Sequence, residues 1–216
     1  ASVASAAARH ARGVAGAVSG GFVARTAEQI LRHPVDVGHP GRYFKGLEEP
    51  SSGHIAWTAI LFDDDPATTD WIEGDNGYGY SDESNERQWI RTTLDDMEDH
   101  YLSVYARLPF TLTGAQIASF SQLSAEVHYD DGYVLYLNGV KVAGPMNVAG
   151  DPPAYTQEAD RSGDYVADNV DLTGFMHLLV AGNNVLAIQG HNGDLGSSDF
   201  VLSPILRARR MAGPRP

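Results

Sequence analysis

The chain contains 216 residues, with no cysteine, 43% hydrophobic residues and a formal net charge of −13. The absence of cysteine excludes disulfide bonds, thiol catalysis and thiolate zinc sites. The negative charge argues against nucleic acid and anionic membranes as partners, because both would repel it. The hydrophobic content is sufficient for one packed domain.

Positive charge is concentrated at the two ends of the chain. Residues 1–33 contain four arginines and one glutamate, and residues 207–216 contain four arginines. The remaining residues hold 7 basic and 27 acidic side chains, a charge of about −20. An acidic core of this kind attracts divalent cations or basic partners. The basic ends are either solvated tails or segments that dock on an acidic surface.

Residues 1–40 are predicted to form a basic, partly helical extension that docks on other protein subunits. Alanine, glycine and arginine dominate, and apolar residues recur at helical spacing from Phe22 to Leu31. We predict a helix over 21–33 that ends at Pro34, because proline cannot continue a helix. The apolar stretch Gly13–Ala24 covers 12 residues and is too short to span a bilayer, so no transmembrane segment is expected.

From Gly41 onward, short aromatic and branched runs separated by turn residues predict strands. The predicted strands are Arg42–Lys45, Leu102–Leu112, Gln122–Tyr129, Tyr133–Leu137, Val140–Val142, Asp164–Asp171, Asn184–His191 and Phe200–Leu206. Helical turns are expected at Thr113–Ser119 and Gly174–Val180. The strands do not alternate with helices, so we predict an all-β jelly-roll β-sandwich over 41–206, with a basic tail at 207–216.

The clearest local signal is a hairpin in the middle of the chain. Asp130-Asp131-Gly132 predicts a corner, and an alternating run follows it as far as Asn138-Gly139. Asn-Gly supplies the positive φ angles of a tight hairpin turn. Aspartate side chains accept backbone N–H groups at such corners. A structural role for Asp130 and Asp131 is therefore favoured, with contact to an ion or ligand as the alternative.

Four segments together resemble the galactose-binding-like jelly-roll domains, a carbohydrate-binding-module-like family of large secreted bacterial proteins. They are Arg42–Pro50, Phe62–Tyr80 with its Phe-Asp-Asp-Asp and Gly-Tyr-Gly-Tyr motifs, Leu94–Arg107, and Asp130–Gly139 with Asn184–Phe200. The chain departs from the family at Ser81–Asn85, where the family often reads Gly-Asp-Gly-Asp-Asp. The resemblance implies a non-catalytic sandwich, often calcium-stabilised and sugar-binding. It also implies an extracytoplasmic location.

Two groups of carboxylates are candidates for one or two calcium ions, because calcium takes six to eight oxygen ligands. The first joins Glu48 and Glu49 of the opening loop to Asp199 before the last strand. The second lies in the long acidic loop at 63–99. Its candidate ligands are Asp63, Asp65, Asp82, Asp95 and Asp96. The alternative is that these side chains cap turns or face water.

A sugar site is predicted where polar loop residues meet aromatic rings. His191, Asn192 and Asp194 follow a predicted strand, while Trp89 and Tyr78 are candidate stacking platforms. No metal-binding histidine spacing and no nucleophile elbow occur. Because the resemblance implies a non-catalytic module, we do not expect an enzyme; a glycan-active enzyme with two carboxylates at glycosidase separation is the alternative. A carbohydrate-binding module is therefore the favoured function. The alternative is a structural subunit docked through residues 1–40.

Overall fold

The computed structural model describes residues 30–161 and 165–210, and this part of the chain forms two six-stranded sheets. Its strands are β1 (Ile30–Val35), β2 (Pro40–Lys45), β3 (Ile72–Asp75), β4 (Tyr78–Tyr80), β5 (Thr92–Thr93), β6 (Ser103–Leu112), β7 (Phe120–Asp130), β8 (Gly132–Leu137), β9 (Val140–Met146), β10 (Val166–Asp171), β11 (Gly182–His191) and β12 (Phe200–Arg210). The helices are α1 (Ser84–Arg87) and α2 (Gly114–Ser119), with 3₁₀ turns at Ala56–Thr58 and Thr173–Leu178. None of these has the length and apolar character of a membrane-spanning helix.

Sheet one has the strand order β10-β7-β12-β4-β5, and β1 also pairs with β12. Sheet two has the order β3-β2-β6-β11-β8-β9. All the pairings are antiparallel except that of β4 with β5. The predicted all-β sandwich is therefore confirmed.

The main core lies between the sheets because alternate residues of each strand point inward. On β12 these are Phe200, Leu202, Leu206 and Ala208, and each is at most 2% exposed. The intervening residues Val201 and Ser203 face away from the core, yet both are 0% exposed. The outer face of sheet one is therefore covered, and the chain between β4 and β5 supplies part of the cover.

The outer face of sheet two is also covered and carries a second apolar cluster. Its buried members are Phe44, Trp57, Trp71, Tyr105, Val134, Tyr136, Val148 and Ala187. Arg107 fastens the covering loop, because its Nε donates to Asp64 at 2.7 Å and its Nη1 donates to the carbonyls of Trp57 and Ala59. The loop at 56–64 is thus held by one buried guanidinium.

The predicted hairpin is confirmed at Asn138-Gly139. Leu137 pairs with Val140, and the two turn residues have φ angles of 51° and 89°. The predicted N-cap at Thr113 is also confirmed, since its hydroxyl accepts the backbone N–H of Gln116. All eight predicted strands occur in the described residues, with ends shifted by a few positions.

The predicted helix over 21–33 is wrong for its described part. Residues 30–33 belong to β1, which pairs with β12 from Ile30↔Arg210 to Val35↔Leu206. Pro34 is tolerated because the register shifts between Arg32 and Val35. The earlier residues of that helix, and residues 162–164 and 211–216, lie outside the described residues.

The basic C-terminal tail does not start at residue 207, since β12 continues to Arg210. The long acidic segment predicted as one loop contains β3, β4, α1 and β5. These elements are two to four residues long, too short to produce a periodic hydrophobic pattern.

Candidate cation site

Three carboxylates from distant parts of the chain converge on the outer face of sheet one. One oxygen from each of Glu86, Asp130 and Asp199 lies within 4.8 Å of the other two. Glu86 belongs to α1, Asp130 ends β7, and Asp199 precedes β12. The pairing of Asp130 with Val201 brings the ends of β7 and β12 side by side.

Strand alternation explains why Asp130 faces this site rather than the core. Val127 and Tyr129 on β7 belong to the main core, so His128 and Asp130 point to the opposite face. The segment that contains α1 lies over that face. Gly77 permits this arrangement, because its φ is +106° and a Cβ there would lie 2.1 Å from the carbonyl oxygen of Trp89.

The carboxylates are buried without enough partners. Asp130 is 3% exposed and Glu86 is 4% exposed. The Oδ2 atom of Asp130 is buried and makes no hydrogen bond. Burial raises the pKa of Asp130 to about 9, helped by the hydrogen bond and charge of Asp131 and by the charges of Asp199 and Glu86. Burial likewise raises the pKa of Glu86, although a hydrogen bond from Ser81 opposes it.

The hydrogen bonds around the cluster orient its members. Ser81 Oγ donates to Glu86 Oε2 at 2.5 Å, and Ser197 Oγ donates to Asp199 Oδ1 at 3.0 Å. Asp131 Oδ2 accepts the backbone N–H of Gly193 at 2.6 Å. Asp131 therefore shapes the corner as expected, whereas the neighbouring Asp130 has an oxygen without a protein donor.

Beside the carboxylates, an aromatic stack packs the covering segment onto the sheet. The rings of Trp89 and His128 are 3.5 Å apart and nearly parallel, and His128 Nδ1 is hydrogen-bonded to the hydroxyl of Tyr165. His128 Nε2 and Arg207 Nη2 lie 2.8 and 2.6 Å from the two oxygens of Glu126. Burial is the largest influence on His128 and lowers its pKa despite that carboxylate.

The first predicted calcium set is not assembled. Glu49 accepts hydrogen bonds from the backbone N–H of Tyr155 at 3.0 Å and from the Tyr105 hydroxyl at 3.4 Å, so it fastens a loop over sheet two. Glu48 is exposed. Asp199 instead meets Glu86 and Asp130 over sheet one.

The second predicted calcium set is not assembled either, and all five of its members are exposed. Asp63 and Asp65 accept the backbone N–H groups of Asp65 and Ala67, as turn caps do. Asp96 pairs with Lys45 at 2.5 Å. Asp82 accepts a bond from Arg87 through its backbone carbonyl, and Asp95 has an exposed carboxylate. None belongs to the cation group in the described residues.

The predicted sugar platform is wrong in its central residues. Tyr78 and His191 are 0% exposed and Asn192 is 1% exposed. Tyr78 donates to the carbonyl of Gly74 at 3.1 Å, and Asn192 donates to the Tyr80 hydroxyl at 3.1 Å. Burial at this level leaves no surface on the three side chains for a sugar to reach.

The other two predicted sugar-binding residues also have local roles. Trp89 uses a face of its ring against His128. Asp194 is exposed and accepts the backbone N–H of Gly196 at 2.8 Å. The described structure therefore does not gather the five predicted ligand residues around one surface.

Sequence reasoning missed Glu86 because it lies in a charged run with Asp82 and Glu83 and has no distinguishing spacing. The only available signal was the departure from the family pattern in that same stretch. In the structure, α1 places Glu86 beside Asp130 and Asp199, although these residues are far apart in the sequence.

Comparison with known proteins identifies no family for the chain. No protein-family model and no curated protein matches it. Similar solved structures include a calcium-binding mutant of Bacteroides uniformis beta-glucuronidase 2 (TM-score 0.48, 15% identity, 84% of this chain and 18% of that chain). An uncultured Clostridium beta-glucuronidase gives 0.47 and 12%, over 84% of this chain and 29% of that one. The Dictyoglomus thermophilum beta-D-mannosidase gives 0.38 and 14%, over 75% and 16%.

The chain thus spans less than a third of each of these glycosidases. At these identities and TM-scores, the likeness carries no argument about function. The function of this chain has to be inferred from its own side chains and their geometry.

Proposed function

We propose that this chain is a non-catalytic β-sandwich module stabilised by calcium bound to Glu86, Asp130 and Asp199. The observation that carries the proposal is Asp130, which is 3% exposed and whose Oδ2 makes no hydrogen bond. A buried oxygen without a donor is destabilising unless an ion or water satisfies it. A divalent cation would satisfy it and would also neutralise its two acidic neighbours.

The donor set favours calcium over transition metals. All three side chains offer oxygen, and the group contains no histidine. Calcium accepts six to eight oxygens in flexible geometry, so water can complete the shell. Zinc in proteins is bound chiefly through nitrogen and sulfur ligands.

The cation would fasten the covering segment to the ends of β7 and β12, two strands that already pair with each other. Glu86 carries the covering segment, while Asp130 and Asp199 mark the ends of β7 and β12. Binding therefore stabilises the folded state by mass action, because the unfolded chain cannot form the site. The proposal includes an extracytoplasmic location, the setting in which modules with calcium affinities of about 10⁻⁴–10⁻³ M are found.

Calorimetric titration of CaCl₂ into chelator-treated protein tests the site. We expect one bound ion and a higher melting temperature. Glu86→Gln and Asp199→Asn should each weaken binding at least about tenfold, since each removes a charged ligand. The control is Asp194→Asn, which neutralises an exposed carboxylate outside the group. No calcium binding by the parent, or equal binding by Glu86→Gln, would disprove the site.

A second candidate function is a structural subunit docked through residues 1–40, and the position of the chain ends favours it. Ile30 and Arg210 are paired on β1 and β12. The first and last described residues therefore lie side by side at one corner of the sandwich, and the arginine-rich sequences before and after them are attached at that corner. An acidic protein surface is the partner that such basic sequences fit.

A further inference from the structure

We propose that a cavity beside β1 and the end of β12 binds a small organic molecule with a single carboxylate and an apolar body. The cavity measures about 340 Å³, at the lower end of the range for small-molecule sites, so it suits one ring or a short chain. It lies among β1, the end of β6, α2, the start of β7 and the end of β12. Its polar lining residues are His33, Thr111, Gln116 and Arg210.

Three of these side chains offer donors that are not used elsewhere. Within residues 30–161 and 165–210, the Arg210 guanidinium and the Thr111 hydroxyl make no hydrogen bond or ion pair. The Oε1 atom of Gln116 accepts the backbone N–H of Thr113 at 2.7 Å in the capping box of α2. Because an amide that accepts through its oxygen must present its NH₂ group on the other side, the NH₂ group of Gln116 is the free end. The cavity therefore presents unpaired donors to a ligand.

None of the described residues that line the cavity is acidic. The carboxylate closest in sequence to its rim is Asp36, and both of its oxygens have partners. Asp36 Oδ2 lies 2.8 Å from His33 Nδ1, and Asp36 Oδ1 accepts the backbone N–H of Val37 at 2.9 Å. The charge that the cavity offers to a ligand is therefore the positive charge of Arg210, which favours an anion.

The guanidinium and the apolar wall together favour a carboxylate over other anions. A guanidinium binds both oxygens of a carboxylate through parallel N–H groups, and such bonds are stronger than neutral ones. Pro34, Leu112 and Phe120 form the apolar wall, against which a ligand can bury apolar surface. One arginine balances one negative charge, whereas a chain with a net charge of −13 repels a second. A phosphate dianion is therefore disfavoured.

The cavity and the cation site lie at opposite ends of β12. Asp199 directly precedes this strand, and Arg210 is its last residue. The inference therefore does not depend on calcium and goes beyond the proposed function. It also differs from docking of residues 1–40 on a protein, because its ligand is a small molecule.

The test is titration of the full chain with benzoate and hexanoate, monitored by isothermal calorimetry or ligand-detected NMR. Benzamide lacks the charge, acetate lacks the apolar body, and phenyl phosphate carries a second charge. We expect at least one of the two acids to bind with a dissociation constant of about 1 mM or tighter. Each of the other three probes should bind at least about tenfold more weakly, since each loses a charge-assisted bond, apolar contact or charge balance.

Two substitutions and one control locate the site. Gln116→Glu keeps an oxygen that can cap α2 but replaces the free NH₂ group by a charged oxygen. It should weaken binding at least about tenfold while the melting temperature is unchanged. Arg210→Gln removes the cation and should weaken binding to the same extent. Arg161→Gln is the matched control, because Arg161 is exposed and lies outside the cavity.

Four results would overturn the inference. They are no binding of either acid by the folded chain, binding of benzamide, acetate or phenyl phosphate as tight as that of the better acid, unchanged binding by Gln116→Glu or Arg210→Gln, and an equal loss in Arg161→Gln. Calcium uptake is measured separately, so failure of the cation site would leave this result unaffected.

Discussion

Replacing Asp130 with asparagine should raise the stability of the fold in chelator and lower it in calcium. The folded-state pKa of Asp130 is raised to about 9, first by burial. A group with a raised pKa contributes stability below its unfolded pKa, near 4, and loses it as the pH rises toward 9. We therefore expect Asp130→Asn in chelator at pH 8 to be more stable than the parent, by at least about 1 kcal/mol.

In calcium, the same variant should lose the stabilisation that the ion gives the parent. Urea unfolding at pH 5 and pH 8, with calcium and with chelator, measures both effects. If Asp130→Asn is less stable than the parent in chelator at pH 8, the folded state does not raise the pKa of Asp130.

His191 should make the stability of the fold depend on pH in a second, more acidic range. It is 0% exposed, and burial lowers its pKa to about 4. The folded protein therefore binds fewer protons than the unfolded chain between about pH 4 and 6.5, so stability is lost as the pH falls through this window. The expected loss is about 3 kcal/mol. His191→Gln should flatten the slope of stability against pH there, and an unchanged slope would contradict the assignment.

Single residues show the limit of what the sequence can reveal. His191 and Asn192 have the residue types of a sugar site, but their position at the end of β11 places them under the loop at 147–160. Glu86 has the type of a solvated charge, but α1 buries it. The type of a residue therefore indicates what its side chain can bind, but tertiary packing decides whether that side chain is exposed or buried.

At the scale of elements, the loop at 56–64 should depend on Arg107. This guanidinium is 3% exposed and binds Asp64 and two backbone carbonyls. Arg107→Ala removes all three bonds and should lower the unfolding free energy by about 3 kcal/mol or more. Arg107→Lys keeps the charge but lacks the fork of donors, so it should recover only part. Equal stability of the parent and the alanine variant in denaturant unfolding would exclude this role.

The segment between β4 and β5 should report calcium through Trp89. This indole stacks on His128, and it follows Glu86 by three positions. Calcium should therefore change the tryptophan emission, and Trp89→Phe should abolish that change while calorimetry still detects the ion. A calcium-induced change that persists in Trp89→Phe would assign the signal to Trp57 or Trp71.

Elements that are specified by a short sequence motif were predicted well. Asn138-Gly139 fixes a hairpin and Thr113 fixes a helix start wherever they occur. β1 was missed because Ile30 and Leu31 continue the helical spacing of apolar residues that begins at Phe22. The segment becomes a strand through its pairing with β12. Such pairing is a property of the tertiary structure and leaves no local signal.

At the scale of the whole molecule, the position of β1 predicts different stabilities for two N-terminal deletions. Removing residues 1–29 keeps every strand that the structure describes. Removing residues 1–35 also takes away β1 and the buried Val35, which should reduce stability by about 3 kcal/mol or more. Thermal unfolding of both truncations tests this prediction. Equal melting temperatures would mean that β1 contributes nothing to the sandwich.

The shorter deletion also tests the docking proposal without damaging the core. If the extension docks on another subunit, the full chain should form a larger particle than the 30–216 chain, and moderate salt should dissociate it. Light scattering with both chains decides this, and identical masses would contradict docking.

The pairing of Ile30 with Arg210 has a mechanical consequence. Tension carried through the chain would enter and leave the sandwich at one corner, so it would peel β1 from β12 one hydrogen bond at a time instead of shearing the whole sheet. Asp199 lies just before the far end of β12, about 36 Å from Arg210 along the strand. A stretched protein would yield first at that corner, while the end that carries Asp130 and Asp199 stays intact.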